Sequence, residues 1–140
     1  MATITRAEPS GEIVSNGIVV TSMPLIASAT LAAGWQNPEN VAVLAKVIVQ
    51  FDTAGVGTID VGLGTGGTGA AAQQFIDGGT MAVGVISGNS ALGTAGTLGG
   101  ADWELVGANG AATDSIVVNS SDLATGTYAG YAYVHYHVTG

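Results

Sequence analysis

Apolar residues along this chain recur with a period of two, the spacing of strands, and helical periodicity is almost absent. From Val41 to Asp52 the odd positions Val41, Val43, Ala45, Val47, Val49 and Phe51 are apolar, while the even ones include Lys46, Gln50 and Asp52. Thr58–Leu63 alternates again, with Ile59, Val61 and Leu63 on one face, after the loop Thr53-Ala54-Gly55-Val56-Gly57. Pairing across that loop predicts a hairpin with Phe51 opposite Ile59, Val49 opposite Val61 and Val47 opposite Leu63. The same register sets Gln50 opposite Asp60 on the other face. Further strands are expected at Ile13–Thr21, Pro24–Leu31, Met81–Ser87, Trp103–Val106, Ser115–Asn119 and Tyr128–Val138, separated by turn-rich segments. A short helix is expected at Ala70–Ile76, stopped by Gly78-Gly79. The fold class is therefore all-β, a jelly-roll-like β-sandwich of about eight antiparallel strands with one short helix. The organisation expected is an N-terminal arm over residues 1–12 and one sandwich domain over 13–140.

Composition narrows the partners. The 140 residues include 10 acidic and 2 basic side chains, Arg6 and Lys46, for a net charge of −8. Nucleic acid and anionic membranes need clustered Lys and Arg, so neither is expected as a partner. With 9% charged residues, 23 glycines and a mean hydropathy of +0.47, the surface is expected to be rich in small uncharged groups suited to burial against other subunits. There is no cysteine, so disulfides and thiolate metal sites are ruled out. Met1–Pro9 lacks an apolar leader pattern, and Val41–Phe51 is too short and too polar to span a membrane.

Few residues invite chemistry. Gly64-Thr65-Gly66-Gly67-Thr68-Gly69 fits G-x-G-x-x-G after a strand. No long helix or following acidic residue completes a dinucleotide site, so a surface loop is the better account. His135 and His137, two apart in a strand, share a face and are the candidate metal ligands. No acidic third ligand stands near them in sequence, so no metal or other cofactor is assigned. The alternative is a partly wet strand face of Tyr131, Tyr133, His135 and His137 that meets a neighbour. Asp52 and Asp60 on the hairpin's outer face could hold Ca²⁺ but read as solvated carboxylates. Neither a nucleophile elbow nor a close carboxylate pair occurs, so no catalytic residue is assigned and an enzyme is not expected. Trp35, in the loop Gly34–Asn40, either stacks on a sugar or caps the core. Trp103 is expected in the core.

The last strand, Tyr128-Ala129-Gly130-Tyr131-Ala132-Tyr133-Val134-His135-Tyr136-His137, is the most distinctive segment. With Thr58-Ile59-Asp60-Val61-Gly62-Leu63-Gly64 and Phe75-Ile76-Asp77-Gly78-Gly79, it resembles the small jelly-roll capsid decoration, or cement, proteins of tailed bacteriophages. The resemblance spans about residues 40–138. It implies a structural virion protein, made in the host cytoplasm, that sits on the outer capsid surface. The partners implied are the phage major capsid protein and further copies of itself, as a trimer or dimer. It implies no cofactor. The interface candidates are Arg6, Trp35, Tyr131, Tyr133, His135 and His137, and the arm carrying Arg6 is expected to lie along a neighbouring subunit. The alternative reading is a carbohydrate-binding jelly-roll module, as in a phage adhesin, with Trp35 as its platform.

Overall fold

The alternating segments form two antiparallel sheets in a computed structural model, which describes residues 12–15, 17–27, 29–68, 75–86, 103–124 and 126–138. The strands are β1 (Glu12–Ser15), β2 (Ile18–Pro24), β3 (Leu31–Gln36), β4 (Val43–Thr53) and β5 (Thr58–Gly64), followed by β6 (Ile76–Thr80), β7 (Gly84–Ile86), β8 (Glu104–Val106), β9 (Ser115–Ser120) and β10 (Ala129–Val138). Sheet A has the order β1-β2-β10-β4-β7, with β8 also on β4; sheet B has the order β3-β9-β5-β6. β7 and β8 lie end to end along one edge of β4, opposite Val49–Phe51 and Val43–Ala45.

The core is the inward half of each alternation. Val43, Ala45, Val47, Val49 and Phe51 of β4 and Ala132, Val134 and Tyr136 of β10 meet Trp35, Ile59, Val61, Ile76, Ile116 and Val118 of sheet B. Each buried Val, Ile or Phe contributes about 1.5–3 kcal/mol relative to exposure, so this layer is the main source of stability.

The expected hairpin is not formed. β4 pairs with β10, β7 and β8, while β5 pairs with β9 and β6. The segment between them crosses from one sheet to the other. Two alternating strands bury their apolar faces equally well as sheet neighbours or across a sandwich, so the pattern alone did not choose between them. Other expectations also change. Ile13–Thr21 is two strands, paired as β1 with β2 around a turn at Gly17, whose φ is 76°. Pro24–Leu31 is mostly the connection to β3. Among the described residues there is no helix: Phe75 is a bend and Ile76 begins β6, while residues 70–74 lie outside the described set. Phe75 N–H donates to the Val61 carbonyl at 3.0 Å, which ties this segment to sheet B as an extension of the ladder. The arm with Arg6 lies outside the described residues, apart from Glu12, which is already in β1.

Candidate functional site

The glycine-rich turn after β5 has a local purpose. Gly66 and Gly67 adopt φ of 65° and 75°, a conformation that L side chains rarely take. Their N–H groups turn back on the chain: Gly66 donates to Asp114 Oδ1 at 2.9 Å and Gly67 to Ser115 Oγ at 2.6 Å. The Gly67 carbonyl then lies against Gly34 so closely that a Cβ there would collide with it. The amides a phosphate would need are thus bonded to a carboxylate and a hydroxyl, which supports the surface-loop account.

Asp114 is the centre of this end of the sandwich. It is buried, and each carboxylate oxygen accepts two hydrogen bonds. Oδ1 takes Gly66 N–H and the Ser115 hydroxyl (2.8 Å); Oδ2 takes Gln36 Nε2 (2.7 Å) and Gly110 N–H (2.9 Å). Burial alone would raise its pKa, but the hydrogen bonds outweigh it and hold the carboxyl well below the usual carboxylate range. Beside it, buried Asn37 donates to the carbonyls of Val41 and Gly107, and Tyr136 donates to Glu39 Oε2 at 3.0 Å. The geometry is that of a bracing network joining the connections at this end.

The opposite end is built differently. Four connections meet there: β2–β3, β4–β5, β6–β7 and β9–β10. Each presents one large aliphatic side chain to solvent: Ile26 (57% exposed), Val56 (85%), Val83 (63%) and Leu123 (56%). These tips are held firmly. Asp122 Oδ2 accepts Val56 N–H at 2.9 Å and the Thr127 hydroxyl at 2.6 Å, and Oδ1 accepts Ala124 N–H at 3.1 Å. The Thr127 and Val56 bonds lower its pKa, so it stays ionised. Gly55 N–H bonds the Met81 carbonyl, Ser121 N–H the Thr58 carbonyl, and the Tyr128 hydroxyl the Ile26 carbonyl. Among the described residues this end carries exposed Asp52 and the Asp122 carboxylate, and no cation. The tips were missed from sequence. Their available signal was a lone aliphatic residue in a turn, as in Gly55-Val56-Gly57 and Ser121-Asp122-Leu123.

The predicted face of β10 does come together, on the outside of sheet A. Tyr131, Tyr133, His135 and His137 alternate with inward Ala132, Val134 and Tyr136, and Tyr131 and Tyr133 stack at 6.2 Å between centroids. Beside them on β4 stand Gln50, Ile48, Lys46 and Leu44, in register with Tyr131, Tyr133, His135 and His137. Trp103 is half-buried here, not in the core. Its ring meets His137 edge-on at 5.5 Å and lies 5.2 Å from Lys46 Nζ. Burial and then Lys46 push the His135 pKa down, with the Tyr133 backbone acting the other way, and Nδ1 is buried without a hydrogen-bond partner. A cation facing His135 makes this a poor metal site, and among the described residues no three His, Cys, Asp or Glu gather into one.

Two other candidates separate. Trp35 lies in β3, 6% exposed, with its ring 5.1 Å from that of Tyr136. It caps the core, so it offers neither a sugar platform nor an interface. Asp52 and Asp60 sit on different sheets; Asp60 accepts Gly78 N–H at 2.7 Å, and they form no shared cation site. No protein-family model, curated protein or solved structure matches this chain.

Proposed function

We propose that this chain is a structural virion protein of a tailed bacteriophage, a jelly-roll decoration protein that binds the outside of the capsid and stabilises the shell. The observation that carries the reading is the loop end. Four aliphatic side chains, one per connection, are exposed at one end of the sandwich, where Asp122 and backbone hydrogen bonds tie the connections together and hold them ready for a partner.

The strand order supports the jelly-roll part. Setting β1 aside and giving β7 and β8 one position, the sheets are β2-β10-β4-β7/β8 and β3-β9-β5-β6. That is two four-stranded layers exchanging strands at both ends, as two Greek keys require. The bracing networks suit a part that must resist strain without disulfides. The acidic surface suits a position outside the shell, away from DNA.

The test is binding to capsids that lack this protein. Val56→Ser with Leu123→Ser removes two exposed tips and should leave folding within about 0.5 kcal/mol. Wild type should co-sediment with bare heads and the double variant should bind at least about tenfold more weakly. Failure of wild type to bind heads, or equal binding by the variant, would overturn the proposal.

A further inference from the structure

We infer that the outer face of sheet A is a self-docking surface, on which two copies pack face to face about a two-fold axis crossing β10 and β4 near Val49. The inference rests on the reading of the chain as an assembling structural protein, and uses a different surface from the loop end.

The face has the wrong chemistry for a surface facing water. Its outward positions carry Ile18 and Val20 on β2, Leu44 and Ile48 on β4, Tyr131 and Tyr133 on β10, and Val85, Trp103 and Leu105 along the far edge. Val85, Leu105 and Tyr131 are 51%, 53% and 42% exposed. Among the described outward positions these aromatic and aliphatic residues outnumber the polar Gln50, His135 and His137 and the charged Lys46 and Asp52, a balance closer to an interface centre than to the rest of this acidic chain. The size also fits. The strands of sheet A hold 38 residues, which at about 3.4 Å by 4.8 Å each cover roughly 620 Å². A specific interface must exceed about 1,000 Å² in total, or about 500 Å² per partner.

Charge selects a second copy as the occupant. A protein with a net charge of −8 repels itself over most of its surface. The described outward positions of this face hold two formal charges, Lys46 and Asp52, which cancel. They lie three residues to either side of Val49 on β4. A two-fold axis across the strands at Val49 exchanges the two ends of β4. It therefore brings Lys46 of each copy over Asp52 of the other, twice, and near the axis sets Ile48 over the other copy's Gln50 and Tyr133 over its Tyr131. A face that is apolar at its centre and opposite in sign at its two ends is complementary to itself in this orientation. Twisted sheets packed face to face with nearly aligned strands accommodate the arrangement.

Sedimentation equilibrium of the full chain, up to about 100 µM, tests it. Wild type should be a dimer or an even-numbered assembly of dimers. Lys46→Asp and Asp52→Lys each put like charges together and should weaken association at least about tenfold, and the double variant, with its charges exchanged, should recover most of it. Both positions reach solvent, and circular dichroism would confirm that each variant is folded. A wild-type monomer at the highest concentration overturns the inference, as does an oligomer indifferent to either substitution or a double variant that fails to recover. Val56→Ser with Leu123→Ser should leave the dimer intact. Loss of head binding with the dimer intact is the result both readings predict; loss of the dimer in this variant would show that the self-docking surface is misassigned, and unchanged head binding that the loop end is.

Discussion

Replacing Asp114 by asparagine keeps the shape of the side chain and removes its ability to accept on both sides. In the native protein each carboxylate oxygen receives two donors, Gly66 N–H and Ser115 Oγ–H on one, Gln36 Nε2–H and Gly110 N–H on the other. An asparagine turned either way points its NH₂ at one of these pairs. The side-chain member can adapt, because the Ser115 hydroxyl rotates and the Gln36 amide flips. The backbone member, Gly66 or Gly110, cannot. One charge-assisted bond of about 1.5–3 kcal/mol is lost, and two donors face each other where it was, so Asp114→Asn should cost about 2–3 kcal/mol. For a domain of this size that corresponds to a fall in Tm of about 6–12 °C. Urea unfolding at pH 7 is the assay, and the midpoint should move while the m-value stays constant. Asp114→Ala should cost more, about 3–5 kcal/mol, by leaving all four donors without their acceptor. A loss below about 0.5 kcal/mol in Asp114→Asn would refute the view that this carboxylate braces the end of the sandwich.

Acid should act through the same groups. The folded-state pKa values of Asp114 and Asp122 lie below the ordinary value of 3.8, so their contribution is complete above that pH and is lost as the pH falls below it. Urea midpoints across pH should show this loss, diminished in Asp114→Asn. His135, whose pKa is also depressed, adds an earlier loss that begins as the pH falls through about 6.5, because the unfolded imidazole takes up a proton first. His135→Gln with His137→Gln should abolish that earlier step and change stability at pH 8 by no more than about 1 kcal/mol; persistence of the step would place its origin elsewhere. Tyr136→Phe removes the hydroxyl that donates to Glu39 and should cost about 1–2 kcal/mol in chemical denaturation. Gly34→Ala drives a Cβ into the Gly67 carbonyl and should cost roughly 1–3 kcal/mol, whereas no change would mean that the turn is free to move.

The strands were legible where one face meets the core and the other meets water. Alternation in β4 and β10 marked Val43–Phe51 and Ala132–Tyr136 as inward, and it gathered Tyr131, Tyr133, His135 and His137 on one outer face. It did not reveal partners. A period of two states which face is buried and says nothing about whether Ile59 lies beside Phe51 in a sheet or across the core from it. β9 was found as a strand, but Val117 is buried on the side away from the core, under a turn whose path depends on Gly34, Gly64 and Asp114 together. Trp103 was misplaced because its residue type favours burial, while its position opposite the outward Lys46 decides its side. The bracing carboxylates Asp114 and Asp122 were invisible for a similar reason. Nothing local distinguishes them from solvated acids, and their partners lie 48 and 66 residues away at Gly66 and Val56.

Electron cryomicroscopy of intact phage particles containing this chain tests the central claim most directly. The account predicts density for the sandwich on the outer capsid surface, with the end bearing Ile26, Val56, Val83 and Leu123 of one copy in each two-fold pair seated on the major capsid protein and the same end of its mate pointing away. Copies placed inside the shell, or pairs in which neither copy sets these four residues on the capsid, would contradict it.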